Sequence, residues 1–257
     1  MLRKLATVLC LLVMAGSARA QTLRVAAAAD LQFAMRDLGG QFEKKSGTKL
    51  AVTYGSSGNF RAQIENGAPF DLFFSADSEY PQQLVASGAA DAQSLTVYAQ
   101  GHLVLWAPGN EKLNVAKKGF DVLQDPKVAR IAIANPEHAP YGKAAVAALQ
   151  KAGLYEQVKG KLVYGENISQ TAQFVQSGNA QVGLIALSLT FAESMKGGDI
   201  WDIPARLYPT IRQAAVIVAK SPNKTAAKAF LDFVKSDEGR KILSNYGFTL
   251  PEPSAKP

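Results

Sequence analysis

Between residues 22 and 88 the chain repeats one unit three times. Each unit is a short apolar or β-branched run, a turn of small polar residues, and a segment with apolar side chains at helical spacing. Residues 22–27 read as a buried strand. Residues 31–45 read as a helix with Leu31, Met35, Leu38 and Phe42 on one face, stopped by Ser46-Gly47. A strand over 50–54 and a helix over 60–66 follow, then a strand over 70–74 and a helix that ends near Gly88. Such alternation builds an α/β fold, a mostly parallel sheet with helices on both faces. Ligands of these sheets bind outside the carboxyl ends of the strands. Asp30, Ser56, Ser57 and Ser75 all fall at those ends, so the pattern carries several loops toward one crevice.

The turn Tyr54-Gly-Ser-Ser-Gly-Asn59 is the most chemically suggestive of these loops. Glycine lets the backbone approach a ligand closely. The serines offer hydroxyls, and the helix that follows offers unpaired N–H groups with partial positive charge. Together these can hold a small anion without a lysine. The same residues also make an ordinary helix cap. Asp30 reads as an N-cap for the first helix, and Ser75 with Asp77 as a cap for the third.

A second series begins after linked strands at 95–98 and 102–106. It has strands at 128–134, 162–164 and 180–187 and helices at 143–152 and 170–176, with the loops Asn135–Gly142 and Gly165–Ser169 between them. Residues 201–209 read as extended and broken by prolines. A strand over 213–219 and helices over 224–235 and 238–244 return to the first series. The chain therefore crosses between two lobes twice, as in a clamp hinged on two strands. The expected limits are 21–100 plus 208–257 for one lobe and 101–207 for the other.

The N-terminus reads as a secretory signal peptide over residues 1–20. Arg3 and Lys4 precede an apolar run from Leu5 to Met14, and Ala18-Arg-Ala20 is a small-x-small cleavage pattern. Cys10 is the chain's one cysteine and lies in that run, so the 237 residues that remain must be held by their core rather than by disulfides. Without Arg3, Lys4 and Arg19 the net charge of +7 falls to +4. That charge is spread along helices and does not form a block, which points away from nucleic acid. No later apolar run is long enough to span a membrane. His102 and His138 stand apart from each other and from carboxylates at ligand spacing, so no cation site and no cofactor are expected. A serine hydrolase built on Ser57 would need a base, for which His138 is the one loop candidate. The Gly-Ser-Ser-Gly turn is also not a Gly-x-Ser-x-Gly elbow. Tyr141, after Pro140, reads either as a packed turn residue or as a group facing a ligand.

Five segments, in order, resemble the periplasmic molybdate-binding proteins of ABC transporters. They are Ala26-Ala-Ala-Ala-Asp30, Gly55-Ser-Ser-Gly58, Gln63 to Asp77 with its Gly-Ala-Pro-x-Asp-Leu-Phe-x-Ser-Ala-Asp block, Asn135-Pro136 with Ala139-Pro-Tyr-Gly142, and Gly178-Asn-Ala-Gln-Val-Gly183. The resemblance covers nearly all of the chain after residue 20. It implies a two-lobed type II periplasmic binding fold and a monomer that delivers molybdate or tungstate to a membrane permease. It also implies that the oxyanion contacts fall at Ala29, Asp30, Ser57, Tyr141 and Ile168. Two positions depart from the family pattern. Many members carry serine where this chain has Asp30, and some carry a tyrosine where it has Ala186. An ionised carboxylate facing a dianion repels it by several kcal/mol. The expectation is that Asp30 turns aside to cap its helix and offers only its N–H. Sulfate, phosphate and ferric iron are the alternative cargoes.

Overall fold

The computed structural model describes residues 22–251, so the expected leader at 1–20 lies outside the described residues. The first repeat forms β1 (Thr22–Ala28), α1 (Gln32–Ser46), β2 (Lys49–Gly55), α2 (Ser57–Glu65), β3 (Leu72–Ser75) and α3 (Glu79–Ala86). The chain then runs through β4 (Thr96–Gly101) and β5 (Leu103–Ala107) into α4 (Val115–Lys118), β6 (Ile131–Ala134), α5 (Pro140–Lys151), α6 (Tyr155–Val158), β7 (Leu162–Gly165), α7 (Ile168–Gln176), β8 (Val182–Ala186) and β9 (Asp199–Asp202). It returns with β10 (Ile211–Ile217), α8 (Lys224–Lys235) and α9 (Asp237–Asn245).

The strands form two five-stranded sheets, ordered β2-β1-β3-β10-β4 and β7-β6-β8-β5-β9. β1 pairs in parallel with β2 and β3, and β6 with β7 and β8. β10 runs antiparallel to both its neighbours, and β5 to both of its own. The reversed strand of each sheet is thus one that the chain enters on crossing between sheets, which is why an otherwise parallel sheet has one strand turned around. Of the span read as extended over 201–209, only the start is strand. Ala205–Leu207 is a single 3-10 turn after Pro204, a residue that starts such turns readily.

Alternation along the strands of the first sheet feeds two cores. Leu23, Val25, Ala27, Leu72 and Phe74 pack against Leu38 and Phe42 of α1 and Phe230 of α8. Ala26, Phe73 and Val216, the intervening residues, pack against Phe60 and Ile64 of α2 and Leu84 of α3. Neighbouring side chains of a strand point to opposite faces, and a sheet covered by helices on both sides must be apolar on both. That accounts for the unbroken apolar character of 72–74. The second sheet is buried in one large core running from Leu103 to Ile211. With the strand ends fixed in this way, the loops before α1, α2, α5 and α7 emerge on facing edges of the two sheets.

Candidate oxyanion site

These loops close on one small cleft, lined by Ala28, Ala29, Asp30, Ser56, Ser57, Ala76, Ala139, Pro140, Tyr141 and Ile168 with Gly55. The five positions expected from the resemblance therefore face the same space, Ala29, Asp30 and Ser57 from the first sheet and Tyr141 and Ile168 from the second. No lysine, arginine or histidine lines it. What converges there is helix N-termini. Ser57 opens α2, Pro140 and Tyr141 open α5, Ile168 opens α7, and Ala29–Leu31 is a 3-10 turn running into α1. The first turn of a helix leaves N–H groups without intrahelical partners. At α7 the Asn167 side chain takes the N–H groups of Ser169 and Gln170, both at 3.0 Å, and leaves that of Ile168. At α5 Pro140 has no N–H, and Tyr141 carries the first one.

Ser57 is buried, and its Oγ accepts the Ala76 N–H at 3.0 Å. One of its lone pairs is taken, and its own proton has no acceptor among the described residues. Ser56, its neighbour, faces the other way. Its hydroxyl donates to the His138 carbonyl at 2.6 Å and stands 2.8 Å from His138 Nδ1. The Gly58 N–H donates to the same carbonyl at 2.9 Å, and Asn59 Nδ2 to Glu166 Oε1 at 2.6 Å. Together these bonds clasp α2 of one lobe to the 135–142 loop and the α7 entry of the other. His138 is therefore not isolated, as the sequence suggested, because folding brings Ser56 and Glu166 to it. Nor is it a base for Ser57: the serine it meets is Ser56, whose proton is directed at a carbonyl.

The expectation that Asp30 caps its helix is corrected. Asp30 is not the cap residue of either the 3-10 turn or α1: those positions fall to Ala28 and Leu31, which make no side-chain cap bond. The carboxylate points instead across the gap between the sheets, where Oδ2 accepts from Tyr141 Oη at 3.1 Å and from Gln213 Nε2. Gln213 is held in turn by Tyr98, whose hydroxyl donates to Oε1 at 2.7 Å, so the amide nitrogen is the end left facing Asp30. The hydroxyl of Tyr141, expected to face a ligand, is thus committed to Asp30. Ser188 Oγ donates to the Asp30 carbonyl oxygen at 2.7 Å. Burial outweighs these donors and pushes the Asp30 carboxyl up to about 6. Burial also raises Tyr141 and Tyr98 well above the ordinary tyrosine value, and both are helped in this by the Asp30 charge.

Gln213, Tyr98 and Ser188 escaped the sequence reading. Gln213 had a signal, as one amide at the head of the apolar run Ala214–Ala219. A fully buried amide demands partners. The cap expected of Asp77 is present, since its Oδ1 accepts the Tyr80 N–H at 3.0 Å and the Ser75 hydroxyl at 3.1 Å. A wider groove between α1 and α7, which includes Phe33, Arg36, Gln173 and Phe191, is open to solvent and shows no such convergence of helix ends.

The sequence profile of bacterial extracellular solute-binding proteins matches residues 23–249. This chain belongs to that family. It is 41% identical to the molybdate-binding protein ModA of Azotobacter vinelandii, over 92% of this chain and 93% of that one. It is 40% identical to ModA of Rhodobacter capsulatus, over 96% of each. The solved periplasmic molybdate-binding protein of A. vinelandii superposes with a TM-score of 0.84 at 35% identity, covering 90% of this chain and all of that one. The sulfate-binding protein SubI of Mycobacterium tuberculosis, at 16% identity and a TM-score of 0.71, shares the fold. These relatives are binding proteins.

Proposed function

We propose that this protein captures molybdate, and tungstate with it, between two lobes in the periplasm and delivers it to the permease of an ABC transporter. The observation that carries the reading is the ring of helix N-termini around one cavity without a cation, in a chain 41% identical to a molybdate-binding protein. A dianion leaving water needs a full set of replacement donors, because unpaired charge is costly in a dry site. Here the donors are the Ser57 hydroxyl and the first-turn N–H groups at Ala29, Asp30, Ser57, Tyr141 and Ile168. Hydrogen bonds to a charged acceptor are about twice as strong as neutral ones. The helix dipoles add to them without leaving a fixed positive charge in the empty cleft. The role of Tyr141 on this reading is its N–H and its hold on Asp30, not its hydroxyl on the ligand.

The lobes that close are residues 21–100 plus 208–257 and residues 101–207. The protein works as a monomer, without cofactor or catalytic step, after removal of residues 1–20. Calorimetric titration with molybdate, tungstate, sulfate, phosphate and chromate tests the reading. Stoichiometric heat with molybdate and tungstate is expected. Heat with phosphate or sulfate and none with molybdate reassigns the cargo.

A further inference from the structure

Asp30 has two oxygens in different situations. Oδ2 is taken up by Tyr141 and Gln213. Oδ1 is buried with no hydrogen-bond partner, on a residue that is 1% exposed and lines the cavity. A buried carboxylate oxygen left bare is costly, and beside a dianion it is also repelled. We propose that Asp30 binds the oxyanion as a neutral carboxylic acid, its proton on Oδ1 and donated to the ligand, so that each dianion enters with one proton taken from solvent. This deepens the molybdate reading and rests on it.

The geometry fixes where the proton goes. Oδ2 already accepts two hydrogen bonds, and a proton there would displace one of them. Oδ1 has no hydrogen-bond partner, so protonation turns an orphan acceptor into one more donor on the cavity wall. The balance is simple: the Asp30 carboxylate, one solvent proton and the dianion give a carboxylic acid hydrogen-bonded to the dianion, with no covalent bond to the ligand made or broken. The filled site then holds two negative charges rather than three.

The surrounding groups do not offer another route. Facing Asp30 are Tyr141 from α5 and Tyr98 from β4, both kept neutral by burial. Asp77 lies behind Tyr98 and Tyr208 behind Tyr141, and neither brings positive charge. Gln213 on β10 and Ser188 bring neutral side chains, and the entry turn of α1 brings the backbone N–H groups of Asp30 and Leu31, which help hold the carboxyl down against burial but carry no charge. His138 and Glu166 sit at the rim, on Ser56 and Asn59. The upward displacement of the carboxyl in the empty cavity agrees with this picture, and a dianion next to it displaces it further.

A site of this kind prefers anions that accept at every oxygen, because the acid proton is already supplied by the protein. The test is molybdate titration of the full mature chain and of Asp30→Asn, in buffers of different ionisation enthalpy, from pH 5.5 to 8.5. For the wild type, about one proton taken up per molybdate at pH 7.5 is expected, with Kd rising roughly tenfold per pH unit above about pH 6. For Asp30→Asn, which keeps a neutral donor, no uptake and a flat Kd are expected, with tighter binding than wild type at pH 8.5. Tight binding by the wild type without proton uptake overturns the proposal and leaves the molybdate reading standing. No molybdate binding at any pH overturns both. Should Asp30→Asn not fold, difference infrared spectroscopy of the wild type decides: a protonated carboxyl band must appear with molybdate at pH 7.5, and its absence overturns the proposal.

Discussion

Ser56 and Ser57 differ in what holds them, and the difference sets what each substitution does. Ser57 carries a proton without an acceptor, so Ser57→Ala removes a ligand bond and leaves the Ala76 N–H without its partner. Loss of about 1.5–3 kcal/mol of molybdate binding is expected, roughly 10- to 150-fold in Kd by calorimetry. An unchanged Kd would take Ser57 out of the site. Asp30 acts on the empty protein too. Its carboxyl is raised from 3.8 to about 6 on folding, so the folded chain binds that proton more tightly than the unfolded one. Stability from this group is therefore greatest at low pH and is lost as pH rises from about 4 to about 6, by about 3 kcal/mol in all. In ligand-free protein Asp30→Asn should raise the melting temperature at pH 7.5 by several degrees and change it little at pH 4, as read by calorimetric melts. Equal shifts at both pH values would mean that the carboxylate is not held in the dry place described.

At the level of elements, α2 is the helix that the clasp holds. Gly58 allows its close approach: a Cβ there would lie 2.8 Å from the His138 carbonyl oxygen and 2.8 Å from Tyr80 Oη. Gly58→Ala should strengthen the isolated helix by up to about 1 kcal/mol yet block its seating on the 135–142 loop. Molybdate affinity is expected to fall at least tenfold while the melting temperature of the empty protein holds or rises. A parallel fall in both would point to a folding defect instead. Most of these elements were legible in the sequence, because three apolar strands and their helices announce themselves by spacing and by Gly or Ser at their ends. The turn before α2 was legible for the same reason. The clasp and the Asp30 network were not. His138 lies 82 residues from Ser56, and Gln213 lies 183 from Asp30, so nothing local in either stretch reports the pairing. Asp30 looked like a cap because aspartate before a helix usually is one. Tertiary partners, Gln213 in the same sheet and Tyr141 on the other lobe, override that preference.

For the whole molecule, closure is a sum of small cross-lobe bonds. The clasp at His138, the Ser169–Gln32 hydrogen bond at 3.0 Å and the Tyr141–Asp30 bond all join one sheet's loops to the other's. Lys143 to Glu79, at 3.9 Å and exposed, adds little. On the proposed reading, ligand donors from both lobes favour the closed form over an open one, and that difference alone sets the shift. Small-angle scattering should show a smaller radius of gyration on adding molybdate, and Gly58→Ala should not reach the wild-type value. An unchanged radius in the wild type would mean that binding needs no closure. The placement of β10 between β3 and β4 has one more effect, on how the protein is made. All strands of the second sheet lie between Leu103 and Asp202 and can pair as soon as that stretch is synthesised. The first sheet has a hole in its middle until residue 217 exists, so the half of the molecule that starts first finishes last. A nascent chain truncated before Ile211 should hold one ordered half and one unzipped one.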